Sequence, residues 1–158
     1  MRVWASPLGG YPRSRVVRRA LRDYERGLLG YGELERVVGE ATAVIIGSQL
    51  SSGVPYVVDG MVDWHDMFRP FVESWRNVTV SGLLRYFDNN FFYRIPVFTG
   101  EPEANKLVWA PRVRRYAPLA EPSGFKIVVP GPITFTLMST NRSGYSDSEL
   151  AEAIARLL

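Results

Sequence analysis

The stretch VPYVVDGMVDWHDMFRP, Val54 to Pro70, gathers the side chains best suited to chemistry. Asp59, Asp63, His65 and Asp66 follow one another closely there. Polar groups so placed are the kind that meet a substrate. They come directly after Val54, Tyr56, Val57 and Val58, an apolar run bounded by Gly53 and Gly60 that predicts a buried strand ending at Asp59. In sheets wound with helices, ligands bind beyond the carboxyl ends of the strands, which is where these groups fall. Other readings stand beside this one. Asp59 also suits a helix cap or a loop bond, His65 a packed or surface histidine, and Trp64 and Trp75 the core.

A second set of candidates is basic. Within the first thirty residues Arg2, Arg13, Arg15, Arg18, Arg19, Arg22 and Arg26 stand against Asp23 and Glu25, whereas the whole chain carries a formal charge of only +3. Such a concentration attracts a polyanion, either nucleic acid or a polycarboxylate, although a solvated face of Arg and Glu has the same composition.

The elements that must position these groups read as follows. Arg2–Leu8 is expected as a first strand, ended by Gly9 and Gly10. Val16, Val17, Ala20, Leu21, Tyr24 and Leu28 give a helical period from Arg13, with most of the arginines on the other face. A helix from about Tyr31 to Ser51 follows, its segment TAVIIG also open to a strand reading. Asp66–Trp75 is expected to be helical, Val78–Pro96 a hairpin excursion around Asp88, and Leu107–Trp109 a short strand. Phe125–Val129 reads as a third main strand, followed by a helix start at Ile133–Met138. Ser146–Leu158 reads as a capped helix with Leu150, Ile154, Leu157 and Leu158 on its buried face.

The 158 residues are 46% hydrophobic and 13% aromatic, which suits a single globular domain over 1–158. No run approaches the roughly 20 apolar residues that span a bilayer, so a cytoplasmic protein without a membrane partner is expected. Cysteine is absent and His65 is the only histidine, which removes disulfides and leaves no metal site to expect in this chain. The order strand, helices, strand, helix, excursion, strand, helix argues for an α/β fold with right-handed crossovers onto a parallel sheet.

Three loops of one style, LGGYPR, VDGMVDW and VPGPIT, end the three main strands. The loop GGYPRSR, the pair Asp59-Gly60 with Asp66-Met67, and PGPITF from Pro130 resemble the successive motifs of the cobalamin-independent methionine synthase family, especially its archaeal members and the amino-terminal barrel of its long members. The resemblance implies a (β/α)8 TIM barrel of the methionine synthase/uroporphyrinogen decarboxylase type. In that family a zinc-bound homocysteine thiolate takes a methyl group from a folate polyglutamate. A whole barrel needs about 200 to 250 residues, so this chain would supply its first part, with about three main parallel strands and a small hairpin excursion. Catalysis would then need the missing half, in a second chain or a homo-oligomer. Zinc belongs to the complete family enzyme.

Carried over by motif, the substrate-binding positions are Gly10, Tyr11, Arg13, Arg15, Arg18, Asp59, Met61, His65, Asp66, Gly131 and Thr134. Two of them depart from the family's catalytic barrel. Gly10 stands where a serine holds the homocysteine carboxylate, and Met61 where an acid meets the amino group. The pattern is nearer the non-catalytic barrel, in which Arg13, Arg15 and Arg18 resemble the residues that meet folate polyglutamate. Those three are expected near the loops, with Arg22 and Arg26 further away along the helix. The alternative is a non-enzymatic binding or assembly domain that uses the basic first helix. Nucleic acid is disfavoured as its partner, because the arginines are not interleaved with stacking aromatics.

Overall fold

The computed structural model describes residues 5–88, 90–104 and 106–158. They form two compact units, each built from separated segments. The first unites the described residues up to Asp63 with Trp109–Val128, and the second unites Trp64–Val108 with Val129–Leu158.

In the first unit, helix α1 (Arg15–Glu25) starts at Ser14, whose hydroxyl accepts a hydrogen bond from the Val17 amide at 3.3 Å. Its buried face, Val17, Ala20 and Leu21, packs with Leu34 and Val38 of helix α2 (Tyr31–Ser51) and with Val62. The long helical reading of α2 holds through TAVIIG, which continues the helix with Thr42 and Ile46 buried and Val44 exposed. Strand β1 (Tyr56–Val57) pairs in parallel with β4 (Gly124–Phe125). The pairing is prolonged by the Lys126 amide, which donates to the Val57 carbonyl at 2.8 Å. Gln49 of α2 supplies what a neighbouring strand would. Its side-chain carbonyl accepts from the Val58 amide at 2.9 Å and its amide donates to the Val58 carbonyl at 2.8 Å, in a buried setting. Ile46, Val57, Tyr116 and Ala120 form a further core cluster with helix α4 (Ala110–Tyr116) and the 3-10 turn Ala117–Ala120.

The second unit is organised on a hairpin of strands β2 (Trp75–Arg85) and β3 (Phe92–Ala104), with β5 (Thr140–Asn141) parallel to β3. One-turn helix α3 (Arg69–Val72) and helices α5 (Pro132–Leu137) and α6 (Asp147–Leu157) complete it. Its core is aromatic. The Phe135 ring lies 4.7 Å from Phe68, 5.3 Å from Trp75 in a stacked pose, and 5.8 Å from Phe98. Helix α6 bears the expected capping box between Ser146 and Glu149, and buries Leu150, Ala153 and Ile154.

Several elements differ from their expected extents. Ala5–Leu8, the described part of the first expected strand, is unpaired, and Arg2–Trp4 lie outside the described residues. Asp66–Trp75 yields only the single turn α3, because Trp75 opens the long strand β2. Leu107–Trp109 is no strand and leads into α4 at Ala110. The third main strand pairs over Gly124–Phe125 rather than Phe125–Val129. The hairpin is the largest sheet element, its strands running 11 and 13 residues. Its inner face, carrying Tyr93 and Phe98, is held by the aromatic cluster.

Candidate functional site

Three loops of the first unit meet beyond the ends of β1 and β4. The Tyr11 amide donates to the Gly60 carbonyl at 2.9 Å, joining the first loop to the second. Gly9 has φ +127°, and a methyl group there would sit 3.1 Å from Val128 and 3.3 Å from the Met61 methyl. Gly60 has φ +78°, and a methyl there would press on Ile45 at 3.0 Å and on Tyr11 at 3.2 Å. Both positions need a left-handed backbone and close approach, so these glycines hold the loops together. Gly10 differs from them: nothing lies within 4 Å of a methyl built there, so the loop has room for a side chain.

Asp59 is buried where β1 gives way to this turn. One carboxylate oxygen accepts from the Met61 amide at 3.1 Å, closing an Asx turn that carries Met61 at φ +48°. The other accepts from Nε of Arg112, on α4. The two terminal nitrogens of Arg112 donate to the two oxygens of Asp63, each at 2.8 Å, in a bidentate fork. Burial disfavours the Arg112 charge, but its bonds to Asp63 and Asp59 outweigh that and hold its pKa above the ordinary arginine value. Two acids and one guanidinium leave one net negative charge.

Arg13 lies at the same loop end. Its partial burial lowers its pKa, while the charge of Asp63 acts in the opposite direction. Arg15 and Arg18 are exposed on α1 and, with Arg19 and Arg22, line a hollow open to solvent. Arg22 lines the same hollow as Arg15 and Arg18 while lying further along α1, in its last turn. The spacing of three and four residues along one helix face brings the four together. Arg19 is partly compensated by Asp23 at 3.3 Å.

The remaining candidates belong to the second unit. His65 is exposed. One oxygen of Asp66 accepts from the amides of Phe68 and Arg69, each at 2.8 Å, and the other accepts from the Arg94 amide at 3.2 Å. That carboxylate caps α3 and ties it to β3. Gly131 precedes α5, with Thr134 exposed in its first turn.

The first unit thus brings Gly10, Tyr11, Arg13, Asp59 and Met61 to one loop end, with Arg15 and Arg18 on the adjoining helix. Arg112 was not among the sequence candidates. It lies 53 residues from Asp59 along the chain, in a segment with no motif of its own, and no local pattern marks its partners. Among the described residues no group of three or more His, Asp or Glu side chains is arranged to hold a metal ion. No helix among them is long and apolar enough to cross a membrane.

No family model matches the chain. A methionine synthase of Sulfolobus acidocaldarius is 22% identical over 151 residues, which span 96% of this chain and 44% of that protein. A 5-methyltetrahydropteroyltriglutamate–homocysteine methyltransferase of Coxiella burnetii is 24% identical over 156 residues, 96% of this chain and 20% of that protein. The solved B12-independent methionine synthase of Shewanella, in complex with selenomethionine, superposes with a TM-score of 0.73 at 17% identity, over 96% of this chain and 45% of that one. The chain therefore spans less than half the length of the curated relatives it matches. Its fold is that of part of such a TIM barrel.

Proposed function

We propose that this chain, a partial-length relative of the cobalamin-independent methionine synthases, binds the anionic folate polyglutamate of methyl transfer to homocysteine, and takes part in catalysis only with residues it does not itself contain. The observation that carries this reading is the pairing of Arg112 with both Asp59 and Asp63 beside a partly buried Arg13. With Arg112 engaging both carboxylates and Arg13 beside them, the loop end is close to neutral, and the uncompensated positive charge near it is that of the arginines of α1. An amino group finds no free acid there, and Met61 adds none. A carboxylate finds Arg13, and beyond it the exposed arginines of α1.

Zinc does not fit the residues present. The chain has no cysteine and a single histidine, His65, which is exposed. The acids nearest it in sequence, Asp63 and Asp66, are held by Arg112 and by backbone amides. Activation of a homocysteine thiol is therefore assigned to groups outside this chain, in a partner or in a longer polypeptide.

Calorimetric titration with 5-methyltetrahydrofolate carrying one or three glutamates tests the reading. Affinity should rise with glutamate number and fall with salt, and Arg13→Ala should weaken it more than Arg26→Ala. Equal affinity for both folates, or equal losses at both arginines, would overturn it.

One observation favours a second reading. The hollow lined by Arg15, Arg18, Arg19 and Arg22 has no carboxylate in its lining, so it suits any polyanion. RNA binding tighter than folate binding would select that reading instead.

A further inference from the structure

The exposed face of α1 concentrates positive charge on one hollow of about 380 Å³, lined by Arg15, Arg18, Arg19 and Arg22. Among the described residues only Arg19 of the four has a carboxylate partner, Asp23 at 3.3 Å. Four positive charges against one negative leave the hollow strongly cationic.

Helix electrostatics argues against this arrangement as a purely structural one. Like charges at spacings of three and four along a helix repel one another. The first turn of α1 holds no acid, and Arg15 occupies its first helical position, where the positive end of the helix dipole disfavours a cation. The helix is held to α2 by Val17, Ala20 and Leu21 on its buried face. Departures from local rules of this kind concentrate at functional sites.

The lining selects the chemistry of the ligand. From Arg15 to Arg22 the helix rises only about 10 Å, so the four guanidiniums converge on a short stretch of whatever they hold. Neighbouring groups of a triphosphate share a bridging oxygen and place several negative charges within such a stretch. The carboxylates of a γ-linked glutamate chain are set apart by an amide and two methylenes, and present fewer. A guanidinium fork also matches two phosphate oxygens at once. No aromatic side chain lines the hollow, so a single strand of RNA finds no stacking platform there. Its volume lies in the range of roughly 300 to 1,000 Å³ that suits a small ligand.

We propose that this hollow is a binding site for a linear polyphosphate unit, carried by a nucleoside triphosphate or by an inorganic chain. The inference is independent of the folate reading, whose anchor is Arg13 at the loop end.

Calorimetric titration of the full chain with tripolyphosphate should give one site per chain, with affinity at least about tenfold above that for orthophosphate or γ-linked triglutamate and falling as salt rises. An affinity for ATP above that for tripolyphosphate names the nucleotide as the source, and one equal or lower names the inorganic chain; either outcome upholds the site. Arg18→Ala and Arg22→Ala should each weaken tripolyphosphate binding by at least about fivefold with unchanged far-ultraviolet circular dichroism. Arg18→Lys should weaken it too, since an ammonium lacks the fork, whereas Arg26→Ala, outside the lining, should not. Asp23→Asn should tighten binding by releasing Arg19. Tripolyphosphate should also raise the unfolding temperature of the parent chain, a readout that needs no variant to fold. Triglutamate or orthophosphate binding as tightly as tripolyphosphate, a loss at Arg26 equal to that at Arg18, or an RNA oligonucleotide binding more tightly than tripolyphosphate would each overturn the proposal.

Discussion

Arg112 holds Asp63 through two parallel hydrogen bonds of 2.8 Å while its third nitrogen bonds the buried Asp59, so one side chain of α4 fixes both acids of the loop after β1. Removing one member of a buried ion cluster leaves the others uncompensated. Arg112→Ala should therefore destabilise the fold by about 3 to 5 kcal/mol. Arg112→Lys should also lose stability, since an ammonium cannot reproduce the fork. Urea denaturation of the three proteins checks both expectations, and a lysine variant as stable as the parent would show that charge alone suffices.

Gln49 makes two hydrogen bonds to the backbone of Val58 in a buried setting. Gln49→Leu keeps the volume but orphans an amide and a carbonyl, at a cost of about 1 to 3 kcal/mol for each. Hydrogen exchange at the Val58 amide should accelerate in this variant by more than at Val17 of α1.

Phe135 touches Phe68, Phe71, Trp75 and Phe98. Phe135→Ala should cost about 3 to 5 kcal/mol through lost contact and the cavity left behind. The near-ultraviolet dichroism of the stacked Trp75 should collapse before the helical signal does.

The pKa of Glu149 is lowered by its hydrogen bonds with the hydroxyl and then the amide of Ser146. A carboxylate depressed in the folded state stabilises it above the unfolded pKa, and that stabilisation is lost as pH falls through the folded value. Thermal unfolding should thus lose stability on acidification below about pH 4.3, and Glu149→Gln should flatten that part of the profile. Ser146→Ala should cost about 1 kcal/mol at neutral pH by removing the cap.

Helices were more legible in the sequence than strands. The periods of α2 and α6, and the cap at Ser146, are local properties that a few neighbouring residues determine. Strand β1 was placed correctly but is only two residues long by pairing, because Gln49 of a helix satisfies Val58 where a strand might have. The site was half legible. Gly10, Tyr11 and Asp59 are recognisable as candidates because glycine loops and an acid at a strand end stand out in sequence, and they lie together at the loop end of the first unit. Asp66 was placed among the ligand-binding candidates, yet its oxygens bond three backbone amides, since an aspartate ahead of a helix turn has the same sequence appearance whether it caps or binds. Arg112 escaped notice because its meaning lies entirely in partners distant along the chain.

That distance bears on the order in which the molecule comes into being. The first unit is finished by Trp109–Val128, which leave the ribosome after a long intervening segment that belongs to the other unit. Until then Asp59 and Asp63 lack their counter-ion, and β1 lacks the strand that pairs with it. The loop end proposed to receive ligand is therefore among the last features of its unit to set, and a nascent chain halted before Arg112 has its glycine loops but not the electrostatic balance that shapes them.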